Sequence, residues 1–370
     1  MTKGTTFFKN LDALRFFAFL GVFISHTFQI TDNYANTVNV TDIIFSVLSF
    51  SYLGVPFFFT LSSFLITYRL LEEYKQNNKI RLLHFYAKRG LRIWPIYFLL
   101  LLICFFIIPF LFSLLHFTIP TLPDILPFLF FWSNFYMIDH GVNFISALII
   151  LWSVVIEEQF YIFWGLIIKY LKKYIVIIIC VCLIVSVIYC YYYLSVLHGK
   201  PMNLKIHTFY AIPDFCFGGL IAFICHSKKK VFNFLKKLST LFYGGIYFVL
   251  IVFNVLQNFE IIHFDIIVND VFNAVCYALI LFDQTFNDKR FFNAGEFKPL
   301  SYLGKISYGL YIYHLLVFSI MIKAVHYFTT IQNVYISFLQ ATLTLIATII
   351  TAHVSYRYFE SFFLKVKDKL

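Results

Sequence analysis

Arg15 and His26 place a permanent positive charge and an imidazole in one apolar stretch near the start of the chain. Their eleven-residue separation is about three helical turns, so both side chains would share one helix face, about 16 Å apart along the axis. A long ligand with an anionic head and a reactive end, such as a coenzyme A thioester, fits that arrangement. The simpler alternative is that Arg15 reaches lipid phosphate and His26 packs as a satisfied histidine.

A pair of arginines lies at the start of the third apolar stretch. Arg89 and Arg92 are three residues apart and therefore point the same way on a helix. Guanidinium groups match the geometry of phosphate oxygens, so this pair could bind a phosphate group. An ordinary positively charged anchor beside an interfacial Trp94 is the alternative.

Carboxylates and a second imidazole occur inside other apolar stretches, where ionisable side chains are costly and are functional candidates. Glu157 and Glu158 are adjacent and project about 100° apart on a helix. Such a carboxylate could orient a histidine and stabilise its imidazolium form, relay protons or pair with an arginine. His314 could line a cavity or hydrogen-bond to neighbouring helices. Asp214 and His353 are weaker candidates, for which a structural role is favoured.

The composition indicates that lipid is the outer solvent of this chain. Of its 370 residues, 61% are hydrophobic and 13% are charged, whereas soluble domains carry about 25% charged residues. The net charge of +11 does not indicate nucleic-acid binding, because the basic residues lie between apolar stretches rather than on one face. The seven cysteines lack metal-ligand spacing and are interpreted as apolar packing residues.

Ten apolar stretches reach the length of about 20 residues that a membrane crossing needs. They predict an all-α polytopic membrane protein with ten transmembrane helices, forming a single domain over residues 1–370 without a separate soluble domain. A shorter stretch, residues 124–137, contains a proline and predicts a re-entrant segment. The ten stretches are residues 11–30, 43–68, 92–114, 144–168, 174–197, 207–225, 238–256, 262–282, 303–325 and 332–356.

The basic residues predict the orientation of these crossings. With both termini in the cytosol, 25 of the 29 Lys and Arg residues lie on the cytosolic side, as the positive-inside rule requires. The opposite orientation breaks that rule almost completely. No cleavable signal peptide is expected, because the first apolar stretch carries Asp12 and Arg15 and lacks a small-residue cleavage site.

Six motifs occur in a fixed order along the chain: Arg15 with ten residues before His26, Gly54–Phe59 leading to Ser62–Ile66, Arg89-x-x-Arg92, Trp152–Tyr161, Ile306–His314 and Ser355–Glu360. In that order they resemble the acyltransferase type 3 family of bacterial membrane O-acyltransferases, which includes O-acetyltransferases of surface polysaccharides. The resemblance covers nearly the whole chain. One departure is Ser63, where the family motif has glycine; a small residue is retained, so the fold and activity are expected to persist.

The resemblance implies transfer of an acyl group, expected to be acetyl, from cytosolic acetyl-CoA to a hydroxyl of a surface or lipid-linked glycan across the bacterial cytoplasmic (inner) membrane. It implies that His26 is the catalytic imidazole, as general base or transient acyl carrier, and that Glu157 is its paired carboxylate. Arg15, Arg89 and Arg92 would hold the phosphates of the donor. No metal and no nucleic-acid partner are expected, and membrane lipid surrounds the protein. Further residues expected to line the cavity are Ser62, Trp152, Glu158, Tyr308 and His314.

Two other functions fit the same residue types. A proton-coupled transporter or flippase would use intramembrane His and Glu side chains without covalent chemistry, although matched inverted halves are not evident. A non-catalytic assembly protein would keep the fold but not the activity, and the presence of all the candidate residues disfavours this alternative. Consumption of an acyl donor distinguishes the enzyme from the transporter.

Overall fold

The computed structural model describes residues 8–28, 51–259, 261–290, 292–329 and 334–370. Within these ranges every regular element is helical and no strand is formed. The helices are α1 (Lys9–Phe28), α2 (Ser51–Asn77), α3 (Leu82–Leu102), α4 (Ile108–Leu114), α5 (Leu126–Leu129), α6 (Ser133–His140), α7 (Ser146–Ile149), α8 (Leu151–Leu171), α9 (Ile175–Ser195), α10 (Pro201–Lys205), α11 (Ile212–Ser227), α12 (Lys229–Lys237), α13 (Thr240–Asn258), α14 (Ile266–Phe286), α15 (Lys298–Lys305), α16 (Ser307–Phe328), α17 (Val334–Ser355) and α18 (Ser361–Lys369).

Seven helical stretches in the described ranges are long and apolar enough to cross a membrane. One of them, Ser146–Ser195, contains both α8 and α9, which are joined by a 3₁₀ turn at Lys172–Tyr174. Helix α11 is also apolar but has only 16 residues. The protein is therefore an all-helical, multi-pass membrane protein. The remaining stretches are Gly54–Asn77, Leu82–Leu114, Thr240–Asn258, Ile266–Phe286, Ser307–Phe328 and Tyr335–Lys369.

Each of the ten apolar stretches predicted from the sequence overlaps a helix of the structure. Residues 29–50 and 330–333, which include parts of three stretches, lie outside the described residues. The number of ten membrane crossings and the cytosolic location of both termini stay predictions. The segment 124–137, predicted to be re-entrant, contains α5 and the first part of α6, with four and eight residues respectively. Neither helix is long enough to cross a bilayer.

Helix α2 lies at the centre of the bundle, where it packs against α1, α8, α11 and α14. Glycines set its closest approaches. A Cβ atom added at Gly218 of α11 would lie 2.1 Å from the carbonyl oxygen of Thr60. One added at Gly54 would lie 2.5 Å from the carbonyl oxygen of Ala18 in α1. Because any side chain would collide with backbone atoms at both positions, these two glycines allow α1, α2 and α11 to pack closely.

A buried amide fixes the beginning of α1. Asn10 Nδ2 donates a hydrogen bond to the carbonyl of Gln284 at 3.1 Å, and Asn10 Oδ1 accepts one from the backbone N–H of Gly295 at 2.7 Å. Nearby, Gly304 of α15 lies directly against the backbone carbonyl of Asp12. These contacts hold the first turns of α1, from which the side chain of Arg15 projects.

Polar contacts inside the bundle fix the rotation of α8. Trp164 Nε1 donates to Thr67 Oγ1 of α2 at 2.7 Å. Ser153 Oγ lies 2.7 Å from the hydroxyl of Tyr311 in α16. Turning α8 would leave these buried polar groups unsatisfied, which is costly in an apolar interior. The resulting orientation directs Glu157 toward α2.

Replacing Gly218 with alanine is expected to destabilise the protein, because the new methyl group would press on the carbonyl of Thr60. Overpacking of this kind costs about 1–3 kcal/mol. The measurement is the thermal unfolding midpoint of the detergent-purified protein. Gly245→Ala is the matched control, since a Cβ there meets nothing within 4 Å. Equal midpoints for the two variants would contradict the close helix packing described above.

Candidate active site

Two adjoining cavities lie between α1, α2, α3, α8, α15, α16 and α18. The central cavity has a volume of about 90 Å³ and the basic cavity about 300 Å³. Arg15, Leu65, Arg92 and Tyr308 line both, so the two cavities meet at these side chains. The central cavity is lined in addition by Ser62, Arg89, Glu157, Tyr161 and Tyr311, among others, and the basic cavity by Asp12, Arg69, Lys305, Glu360 and Lys367.

Guanidinium groups from three helices meet at this junction. The charges of Arg69, Arg89 and Arg92 all act on Arg15, which forms an ion pair with Asp12 in the preceding helical turn. Arg89 places its guanidinium carbon 5.0 Å from the centre of the Tyr161 ring, a cation–π distance. As their spacing predicts, Arg89 and Arg92 face one cavity together. Such a cluster is suited to binding an anion with several charged groups.

The basic cavity carries more positive than negative charge. Five Lys and Arg side chains line it, against the two carboxylates Asp12 and Glu360. The Nζ atom of Lys367 lies 3.4 Å from Oδ1 of Asp368, and the Lys367 side chain is 24% exposed. Glu360 Oε1 accepts a hydrogen bond from Ser355 Oγ at 3.3 Å. An entering anion would meet more exposed cations before it reaches Arg15, whose side chain is 14% exposed.

Glu157 lies on the central cavity and is held by two hydroxyl groups. Ser62 Oγ and the hydroxyl of Tyr161 both donate hydrogen bonds to Glu157 Oε1. Within the described part of the chain, no hydrogen bond joins Glu157 to His26. The carboxylate is therefore placed beside the arginines, on the cavity that Arg15 and Arg92 share.

His26 and His314 form a separate pair. Their ring centres are 5.4 Å apart with an angle of 39° between the ring planes. The Nδ1 atom of His314 is hydrogen-bonded to the backbone carbonyl of Tyr311. Its Nε2 atom is buried and has no hydrogen-bond partner among the described residues. Phe19 and Phe23 of α1 pack against the His314 ring, so the pair lies in largely apolar surroundings.

The remaining candidates from the sequence lie in different environments. Tyr308 lines both cavities, and its hydroxyl donates to the carbonyl of Ile93 at 3.1 Å. Trp152 packs edge-on against Phe59, with ring centres 6.3 Å apart. Neither Trp152, Glu158 nor His314 is among the residues that line the central or the basic cavity. Of the five residues expected to line the site, the structure brings Ser62 and Tyr308 to these cavities.

Glu158 is buried on the other side of α8. Its Oε2 atom accepts a hydrogen bond from Trp94 Nε1 at 3.0 Å, while its Oε1 atom has no partner in the described ranges. Adjacent residues of a helix project about 100° apart, which explains why Glu157 reaches the cavity and Glu158 contacts α3 instead.

Comparison with known proteins identifies the family. A family model described as an acyltransferase domain, that of acyltransferase type 3, matches residues 8–357. The chain belongs to this family. The expectation from the sequence motifs is thereby confirmed, and the acyltransferase match includes every candidate residue named from the sequence.

Several curated relatives of this chain are named O-acetyltransferases. O-acetyltransferase OatA of Staphylococcus aureus strain NCTC 8325 / PS 47 is 28% identical over 398 residues, covering 96% of this chain and 57% of the relative. The OatA proteins of strains COL and MRSA252 match with the same identity and coverage. The chain thus spans less than two thirds of the length of these relatives. No solved structure matches the chain significantly.

Several residues of the site were not singled out from the sequence. Arg69 was interpreted only as a cytosolic basic residue, although Ser62, Leu65 and Arg69 have the i, i+3, i+7 spacing of one helix face. That spacing could have predicted its position. Lys305 and Lys367 approach Arg69 only through tertiary packing, and Lys367 lies beyond the region that the acyltransferase model matches.

Replacing Trp94 with phenylalanine is expected to destabilise the protein, because Glu158 would lose its hydrogen-bond donor inside the bundle. Leaving a buried polar group unpaired costs about 1–3 kcal/mol. Thermal unfolding in detergent measures the effect, with Trp132→Phe as the control, since that indole is 58% exposed. The double variant Trp94→Phe with Glu158→Met should recover most of the loss. A double variant no more stable than Trp94→Phe alone would contradict this role of the indole.

Proposed function

We propose that the protein is a membrane O-acyltransferase that moves an acetyl group from cytosolic acetyl-CoA to a hydroxyl of a surface or lipid-linked glycan on the extracytoplasmic side. The observation that carries this proposal is the arrangement along α1. Arg15 lies at a cavity rich in cations, and His26 lies on the same helix about 16 Å further along. The family membership and the names of the relatives support the reaction class.

The proposed topology has ten crossings, with both termini in the cytosol of a bacterium and the chain in its cytoplasmic membrane. The distribution of 25 of the 29 Lys and Arg residues supports this orientation. It places Arg69, Arg89 and Lys367 on the cytosolic side and His26 in the outer half of the bilayer. We further propose that residues 1–370 act as one membrane domain.

The charge of the two cavities supports an acyl-CoA donor. Its phosphate groups would bind to Arg15, Arg89 and Arg92, with Arg69 and the lysines of the basic cavity completing the site. Guanidinium groups hold phosphate oxygens through paired hydrogen bonds. The long arm of the donor would then extend along α1 toward His26, so that binding of the phosphates positions the thioester.

His26 is proposed to remove the proton from the acceptor hydroxyl as the oxygen attacks the thioester carbonyl. The carbon–sulfur bond breaks, an ester bond forms, and the proton passes through His26 to the departing thiolate. If His26 instead carries the acyl group transiently, its ring nitrogen first displaces the thiolate and forms an acyl–nitrogen bond. The acceptor oxygen then breaks that bond as the ester forms, and the hydroxyl proton passes to the thiolate. Glu157 is proposed to assist from the central cavity, where Ser62 and Tyr161 hold its Oε1 atom.

The His26→Ala variant is expected to lower acyl transfer by about 10² to 10⁴-fold, the usual contribution of a positioned general base. The acetyl content of surface glycans, measured by mass spectrometry in cells that lack any other copy of the gene, reports the loss. His116→Ala is the control, because that side chain is exposed. Full activity in His26→Ala would rule out the catalytic role, and proton-dependent flux without donor consumption would favour a transporter.

The Lys367→Gln variant is expected to bind coenzyme A about 5-fold more weakly, since a charge-assisted contact at a partly exposed site contributes about 1 kcal/mol. Isothermal titration of the detergent-purified protein measures the dissociation constant. Lys365→Gln is a matched control on the same helix, because Lys365 is exposed and does not line the cavity. If both variants bind coenzyme A with the affinity of the unchanged protein, Lys367 is not part of the donor site.

A further inference from the structure

We propose that His314 is the positioning residue of His26: its Nε2 atom accepts the ring N–H of His26 and so fixes the tautomer with which His26 meets the acceptor hydroxyl. This inference rests on the proposed function, in which His26 handles the proton. It assigns to an imidazole of α16 the role that the sequence motifs implied for Glu157.

The hydrogen bonding of His314 determines which of its nitrogens can act. Its Nδ1 atom is paired with the backbone carbonyl of Tyr311. A carbonyl oxygen can only accept a hydrogen bond, so Nδ1 carries the hydrogen. In the neutral imidazole, Nε2 then has a free lone pair and acts only as an acceptor. The backbone of α16 therefore presets His314 to receive a hydrogen bond from a neighbour.

The burial of this nitrogen makes a partner necessary. His314 is 1% exposed, and Nε2 has no hydrogen-bond partner among the described residues. A buried acceptor without a donor is destabilising, because its hydration is lost and nothing replaces it. The aromatic rings of Phe19 and Phe23, which pack against His314, offer no N–H or O–H group. Two other neighbouring rings do offer such a group, those of Tyr311 and His26. The Tyr311 hydroxyl already pairs with Ser153 Oγ, which leaves His26.

The separation of the two rings fits such a contact. Their centres are 5.4 Å apart. An N–H···N hydrogen bond of about 3 Å, added to the two distances from ring centre to nitrogen, gives a separation of this size. The distance between the ring centres is therefore compatible with this hydrogen bond.

A neutral neighbour such as His314 also suits the proposed role of His26 as a base. A carboxylate beside His26 would favour its protonated form, which cannot accept a proton. His314 orients the ring without adding a negative charge, and two imidazoles so close in apolar surroundings do not both become charged. In the proposed mechanism, His26 starts neutral and carries the proton only while the ester forms.

The test compares two substitutions in the purified protein, with the rate at saturating donor and the KM for the donor measured separately. His314→Phe keeps the ring but removes both nitrogens, and is expected to lower kcat about 100-fold, while the KM for acetyl-CoA stays within about 2-fold. His314→Gln restores a donor for the Tyr311 carbonyl and an acceptor for His26, so it should recover kcat to within about 10-fold of the unchanged protein. His326→Gln, at an exposed position of the same helix, controls for the substitution itself.

Three results would overturn the inference. One is a His314→Phe variant with unchanged kcat. Another is a His314→Gln variant that folds, binds coenzyme A normally and is as slow as His26→Ala, because then His314 would itself move a proton. The third is a parallel loss of kcat and donor affinity in both variants, which indicates a packing role. Each differs from failure of the proposed function, in which the unchanged protein transfers no acyl group at all.

Discussion

Repulsion between like charges inside an apolar bundle is the constraint on which the site depends. Arg15, Arg69, Arg89 and Arg92 come from α1, α2 and α3 and act on one another electrostatically. Two unit charges 4 Å apart interact by about 4 kcal/mol near a protein surface. Asp12 pairs directly with only one of the four guanidinium groups, Arg15. Glu360 acts electrostatically on Arg92 and Glu158 on Arg89, so helix packing must hold the guanidinium groups together while nearby carboxylates offset part of their charge.

The contacts that provide this packing lie close to the charges. Gly54 lets α1 approach α2, and Asn10 ties the beginning of α1 to the segments that precede α15. Tyr308 bonds to the carbonyl of Ile93, one residue after Arg92, and so joins α16 to α3. Each contact fixes a helix that carries a member of the cluster or lines its cavity. The rigid surroundings preorganise the cations for a ligand, which lowers the entropic cost of binding.

Periodicity along single helices was predictable from the sequence, whereas contacts between helices were not. The spacing of Arg89 and Arg92 placed them on one face, and both line the central cavity. The all-helical, multi-pass fold also followed from composition and hydropathy. By contrast, Glu157 is hydrogen-bonded to Ser62, which lies 95 residues earlier in the sequence. The rings of His26 and His314 are in contact although the two residues are still further apart in the sequence. No local pattern encodes such pairs, because they depend on how α1, α2, α8 and α16 rotate against each other.

In the proposed mechanism, the separation of the charges from the imidazole is what lets one site serve two compartments. The cations line cavities at the end of the bundle where α1 begins, whereas His26 lies near the end of that helix, about 16 Å away. Cations that bind phosphate must be reachable from water, because the charged ligand arrives through it, whereas exclusion of water around the reacting groups strengthens the electrostatic interactions there. Placing both on one face of α1 lets a single extended ligand satisfy the two requirements at once. Under the proposed function, the distance between Arg15 and His26 is itself a specificity element, because a donor with a shorter arm would bind its phosphates without bringing its acyl carbon to the proposed base.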